Sequence, residues 1–275
     1  MSPTPSPTSP LPSFQDGSID AILGHAARAT LPYKRANRDE GHATAFWFNE
    51  LIPSEGAAGD GAATDGEVVR RYLVTAAEPT RVDLAEITLR PELCDPAPSA
   101  ERLVMTGFAD GWTPLPGLGV AVLPASVLHT YADRKGWSWS TDEITDGVAA
   151  RAEDLAGIGA DPVRAYVLGH DTGEGGEREQ AVVVGVLVRA RDGSIRWGGE
   201  LPQGCVGAPV FTSVILKKNQ FRLVCAGVAL PADGRSPGHH PVATFDRIRT
   251  ALNPDAHPET AEGGSTRRWW RRRAR

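Results

Sequence analysis

Cysteine is scarce in this chain: Cys94, Cys205 and Cys225 are the only three in 275 residues, and no CxxC spacing occurs. An odd, widely spaced set suggests neither a disulfide framework nor a structural zinc site, and it fits a reducing compartment. Long apolar runs are also missing, since none approaches the roughly 18 residues that span a bilayer as a helix. The opening MSPTPSPTSPLPS has neither the basic start nor the apolar stretch of a secretory leader. A cytoplasmic location is therefore expected. There is no Gly-x-y repeat, no sustained heptad and no internal repeat of solenoid or propeller length. What the chain does have is turn chemistry, with 30 glycines and 22 prolines, which favours short strands joined by many turns.

Charge is divided unevenly. The net charge is −5, yet the last eleven residues hold Arg267, Arg268, Arg271, Arg272, Arg273 and Arg275 and no acid. Subtracting those six leaves −11 on the remainder. An acidic body repels nucleic acid and anionic lipid, so only the tail attracts either. Trp269 and Trp270 sit among the arginines, a composition suited to an anionic membrane surface or to stacking on nucleic-acid bases.

Residues 1–15 are rich in proline and serine and bury too little apolar surface to offset ordering entropy, so disorder is expected there. Residues 254–275 read as a disordered linker and basic tail, leaving 16–253 as the folded domain. Ser18 is placed as the cap of a short N-terminal helix through SIDAILGHAARATL. Next come short apolar or alternating runs bounded by Gly, Pro, Asp and Asn: Ala43–Glu50, Glu67–Ala77, Val82–Arg90, Gly119–Pro124, Arg164–His170, Ala181–Ala190, Ala208–Phe211 and Phe221–Leu230. So many strands without regular helices between them point to an all-β, antiparallel architecture. Helices are expected at Ala125–Lys135, Thr145–Ala156 and Thr244–Leu252.

The most specific segment is LPQGCVGAPVF, Leu201–Phe211. Its Gly-x-x-Gly-x-Pro pattern needs glycine where backbone adopts positive φ or approaches another group closely, and proline where a strand begins. In acyl-transfer enzymes such a turn exposes a nucleophile and directs backbone N–H groups at the developing oxyanion. Here the sequence resembles the trypsin-like serine peptidases, bacterial branch, whose nucleophile occupies Gly-x-Ser-Gly-x-Pro; the serine position is Val206. RYLVTAAEPT resembles the family's Leu-Val-Thr-Ala-Ala-His strand, with Glu78 at the histidine position. WTPLPGLGVAVLP resembles the segment in which an aspartate precedes a Val-Ala-Val-Leu-Pro strand, with Gly119 at that position. The resemblance spans about Ala43–Leu252 and implies two antiparallel six-stranded β-barrels flanked by a short N-terminal and a C-terminal helix. It also implies a cleft near Glu78, Gly119 and Val206, with Gly204, Cys205, Val206 and Gly207 forming the oxyanion turn.

All three triad positions are substituted. Valine has no lone pair with which to attack a carbonyl, Glu78 is anionic at its ordinary pKa of about 4.3, and glycine orients no base. Loss of a triad leaves at most roughly 10³ to 10⁴ over uncatalysed hydrolysis. The expected function is that of a catalytically inactive peptidase homologue which binds peptide or protein. The alternatives are a hydrolase with relocated groups, using Cys205 as nucleophile, and a module recruited to membrane or nucleic acid by its tail. Cys205 lies one residue before the nucleophile position, and a neighbouring Glu78 carboxylate raises a thiol pKa rather than lowering it. His239 and His240 are adjacent but lack acidic or thiol ligands at a recognisable spacing, and an exposed loop is expected for them. GHDTGEGGE lacks the alternating ligands of a calcium loop. Neither a metal nor a small-molecule cofactor is expected.

Overall fold

The computed structural model describes residues 14–52, 68–172, 178–215, 221–234 and 238–253. The segments read as disordered before Phe14 and after Asn253, including the arginine tail, lie outside the described residues, as does most of GHDTGEGGE. Helix α1 (Phe14–Ala26) is followed by β1 (Thr30–Arg35), β2 (Ala43–Ile52), β3 (Val68–Ala76), β4 (Leu84–Thr88), β5 (Cys94–Asp95) and β6 (Arg102–Thr106). Then come α2 (Phe108–Gly111), β7 (Thr113–Leu115), β8 (Val120–Pro124), α3 (Ala125–Lys135), β9 (Ser138–Trp139), β10 (Ile144–Thr145) and α4 (Ala152–Ala156). The second half holds β11 (Val163–Thr172), β12 (Arg178–Arg189), β13 (Ile195–Gly198), β14 (Pro209–Ile215), β15 (Phe221–Ala229), β16 (His239–Thr244) and α5 (Phe245–Leu252). No helix among the described residues is long and apolar enough to cross a membrane.

The all-β class is as expected, and the second half closes into a six-stranded barrel, β11-β12-β13-β16-β15-β14. The first half differs from the expected six-stranded barrel. It is an eight-stranded sheet in the order β6-β4-β1-β2-β3-β8-β7, with β10 pairing parallel to β2. The cause is local: the Thr113–Leu115 strand folds back onto β8 and takes the edge of β8 that β6 would need to complete a ring. β6 is left paired with β4 alone.

Strands buried on both faces explain the long apolar runs. Along β2, Ala45 and Trp47 face the core of the first sheet, while Phe46 and Phe48 face a shared core between the two sheets. Tyr166 and Leu168 of β11 enter the shared core from the other side, and Ala165 and Val167 face the interior of the closed barrel around Trp197. Both terminal helices pack on this shared core, through Ile22 and Ala26 of α1 and through Phe245 and Ile248 of α5.

Three local expectations are corrected. α1 begins at Phe14, so Ser18 is not its cap but a buried residue whose hydroxyl lies 3.3 Å from that of Ser213. The Thr145–Ala156 stretch forms β10, a turn and only a five-residue helix, because Arg249 holds the carbonyls of Asp146, Ala149 and Ala150 outside any helical ladder. His239 and His240 are not in a loop; they pair in β16 with Gly198 and Trp197 of β13.

Candidate functional site: the turn between the two sheets

The last residues of β3 hold the site together. The Ala77 N–H donates to the Gly119 carbonyl at 2.8 Å, which fixes the residue before Glu78 against the residue before β8. On the other side, the Thr44 N–H donates to the Val206 carbonyl at 2.9 Å. A Cβ at Gly207 would stand 2.1 Å from Thr75 Oγ1 and 2.9 Å from the Ala76 nitrogen. Glu78, Gly119 and Val206 are thus each in place on, or next in the chain to, groups that touch Thr75–Ala77. The two sheets meet along this stretch, with Gly119 bonded to Ala77 and Gly207 packed on Thr75.

Glycine is required twice here. Gly207 has φ 85° and lies flat on β3, and Gly119 has φ 69°. Both are left-handed backbone that a side chain disfavours. At Gly119 a Cβ would also lie 3.2 Å from Leu230 Cδ1, so a side chain there needs this leucine to give by a few tenths of an ångström.

The turn itself is closed. Gln203–Cys205 form a single 3₁₀ turn, in which the Cys205 N–H donates to the Pro202 carbonyl at 2.9 Å and the Val206 N–H to the Gln203 carbonyl at 3.1 Å. The Gly207 N–H donates to the Ala229 carbonyl at 2.8 Å. An oxyanion site needs such donors free and aimed at a common point; these are spent within the protein. Glu78 is exposed, and Val206 is half-buried against the core of the closed barrel.

Cys205 is buried, not presented to solvent. Burial first, then the Asp171 carboxylate, pushes its thiol up to about 12, against a hydrogen bond with the His170 backbone that acts the other way. A thiol so placed is held in its protonated form, and the thiolate is the reactive one. The physical reason is the one-residue offset: the side chain before Val206 turns inward against Gly169, where a Cβ would meet Cys205 Sγ at 2.6 Å.

Sequence reasoning missed the buried polar chain beneath the turn. Tyr33 Oη lies 3.1 Å from Thr75 Oγ1, which donates to the Thr44 carbonyl at 2.7 Å. Because Thr75 gives its proton to Thr44, the Tyr33 hydroxyl must donate to Thr75. Thr44 Oγ1 in turn donates to the Gly204 carbonyl at 2.7 Å and lies 3.3 Å from His170 Nδ1. The same proton count makes His170 the Nδ1–H tautomer, with Nε2 buried and unpartnered among the described residues. Burial, with the Arg90 and Arg178 guanidiniums adding to it, drives the His170 pKa well below the usual histidine range. Burial likewise pushes the Tyr33 phenol up. Both side chains are therefore neutral near pH 7. The signal available in the sequence was threonine beside small residues at the start of β2 and the end of β3, which does not name a partner 126 residues away.

Around this chain the sheets are clamped by charge. Arg178 of β12 donates to Glu86 of β4 at 3.0 Å, and Arg90 and Gln180 both donate to the Ala27 carbonyl, at 2.9 and 2.7 Å. A cavity of about 710 Å³ lies beside the β7–β8 turn, lined by Pro116, Leu118, Asp146, Arg249 and Thr250 among others. Its most buried polar pair, Arg249 with Asp146 at 2.6 Å, is already committed to the chain that precedes α4.

No family model and no curated protein matches the chain. Among solved structures it is similar to the serine endoprotease from Yersinia pestis, at 10% identity and TM-score 0.48, over 89% of this chain and 67% of that one. It is also similar to the Rv3671c protease in an inactive form, at 13% identity and TM-score 0.44, over 90% and 97% of the two chains. A third is Rv3671c from M. tuberculosis H37Rv as an inactive serine-to-alanine mutant, at 14% identity and TM-score 0.41, over 95% and 99%.

Proposed function

We propose that this chain is a catalytically inactive relative of the serine peptidases that acts by binding peptide or protein. The observation that carries the reading is the state of the Gly204–Gly207 turn. Its sequence resembles the turn in which serine peptidases hold their nucleophile, yet Val206 offers a hydrocarbon and its N–H is bonded to the Gln203 carbonyl. Leu230 lies close beside Gly119, and the one nearby sulfur, Cys205, is buried and protonated. A turn that has the glycines but not the nucleophile fits a domain whose junction serves architecture. The test is incubation of the purified chain with a fluorophosphonate probe and with peptide and ester substrates. No label and no turnover are expected; stoichiometric labelling, or hydrolysis abolished by Cys205→Ala, overturns the proposal.

A further inference from the structure

Strand β3 outruns its neighbour. Tyr72–Ala76 are paired on both sides, but among the described residues Val68–Arg71 pair only with β2, through Ile52↔Val68 to Asn49↔Arg71. β8 stops at Pro124 and the chain turns into α3 at Ala125; proline supplies no N–H to continue the ladder. In an antiparallel ladder the N–H and C=O of one residue point to the same side, and the side alternates along the strand. Ala77 bonds to Gly119, so the odd-numbered residues of β3 face β8. Val69 and Arg71 therefore aim their main-chain groups past Pro124, into a groove of about 570 Å³ lined by Val69, Arg71, Tyr72, Pro124, Ser126 and His129.

All four residues of this segment are exposed, and Val68 and Val69 remain 50% and 45% accessible. Leu51, opposite Val69 on β2, and Val127 on α3 are also exposed. An unpaired strand edge with exposed apolar side chains is a template for another strand, which proteins ordinarily cover or blunt. Arg70 hydrogen-bonds Tyr72 and lies opposite Glu50, whereas Arg71 has no acidic partner among the described residues.

We propose that the Val68–Arg71 edge is a docking site for an extended acidic peptide of a partner protein. The peptide adds to β3 as a further strand, bonds to the main chain of Val69 and Arg71, sets apolar side chains against Val69 and Leu51, and places a carboxylate on Arg71. The site is at the opposite end of β3 from the Thr75–Ala77 stretch and does not depend on the absence of catalysis.

The test uses the full chain and a labelled, end-capped seven-residue peptide of alternating glutamate and valine, read by fluorescence polarisation. Saturable binding is expected, with the lysine–valine counterpart at least tenfold weaker. Val69→Pro removes the N–H that faces the groove together with the valine side chain, leaves the β2 ladder intact, and should weaken binding at least tenfold; Arg71→Glu should do the same. Thermal melts show whether each variant is folded. If Val69→Pro does not fold, Arg71→Glu and the amide chemical-shift changes of Val69 and Arg71 in the unmodified protein decide. Equal affinity for both peptides, an unchanged affinity in Arg71→Glu, or shift changes confined to Gly204–Gly207 overturns the proposal. Recovery of cleaved peptide overturns inactivity instead, and leaves the edge assignment to the two variants.

Discussion

Gly207→Ala should be among the most damaging single methyl groups that can be added to this protein. The residue sits at φ 85°, where a Cβ costs roughly 1–2 kcal/mol before any contact is considered. The added carbon would lie 2.1 Å from Thr75 Oγ1 and 2.5 Å from the Thr44 carbonyl oxygen, and ordinary contact begins at 3.4 Å. The turn must then move by roughly 1 Å, against backbone that cannot swing aside. Such a shift breaks the 2.8 Å bond to Ala229 and the 2.9 Å bond from Thr44 to Val206. Each leaves buried groups unsatisfied at about 1–3 kcal/mol. Taking the low end of each contribution, the loss is about 3 kcal/mol, which for a domain of this size lowers Tm by roughly 6–12 °C. Gly117→Ala is the internal control: φ is 69° but nothing lies within 4 Å of its Cβ, so only the backbone cost of about 1–2 kcal/mol applies. Urea unfolding of both variants alongside the parent measures the difference. If the two losses agree within about 1 kcal/mol, close approach between the sheets is not what demands glycine at 207, and the account of the junction is wrong.

Three further outcomes are expected. The triple variant Glu78→His, Gly119→Asp and Val206→Ser should hydrolyse no peptide or ester, because Leu230 crowds position 119 and the Val206 N–H is spent on Gln203; measurable turnover would show that the turn reopens readily. Cys205, with its thiol pushed up to about 12, should react with iodoacetamide at pH 8 about 10³-fold more slowly than an exposed thiol of ordinary pKa near 8.5, and regain the ordinary rate in denaturant; mass spectrometry of native and unfolded samples decides. His170 has a folded pKa depressed well below the unfolded value. The unfolded chain therefore takes up the proton first, and stability present above about pH 6.5 is lost as pH falls below it, by up to about 1.4 kcal/mol per pH unit. Urea midpoints at pH 7 and 5 should show a smaller drop in His170→Asn than in the parent, and the His170 ring resonances should not titrate across that interval.

Some of this protein is written locally and some is not. The helix Ala125–Lys135 was legible to the residue, because Gly136 ends it in the left-handed conformation and Leu128 and Ala132 repeat at helical spacing. ATAFWF and RYLVTAA were legible as strands for the same kind of reason, since a run apolar on both faces between turn residues has few other uses. Glu78, Gly119 and Val206 drew attention in the sequence only through the flanking Ala-Ala, Val-Ala-Val-Leu-Pro and Gly-x-Pro segments. Closure was not legible: the three-residue β7 takes the edge of β8 that β6 would need to close a ring, and no local pattern names that partner. The inward turn of Cys205, the leucine beside Gly119 and the Tyr33–Thr75–Thr44–His170 chain join residues far apart in sequence. Their partners are chosen by packing between two separately formed sheets. Local propensity and periodicity act within a strand or a turn and so determine which segments form. Only the docking of one sheet on the other decides which donors remain free, which side chains lose water, and whether a turn that looks catalytic in sequence has anything left with which to react.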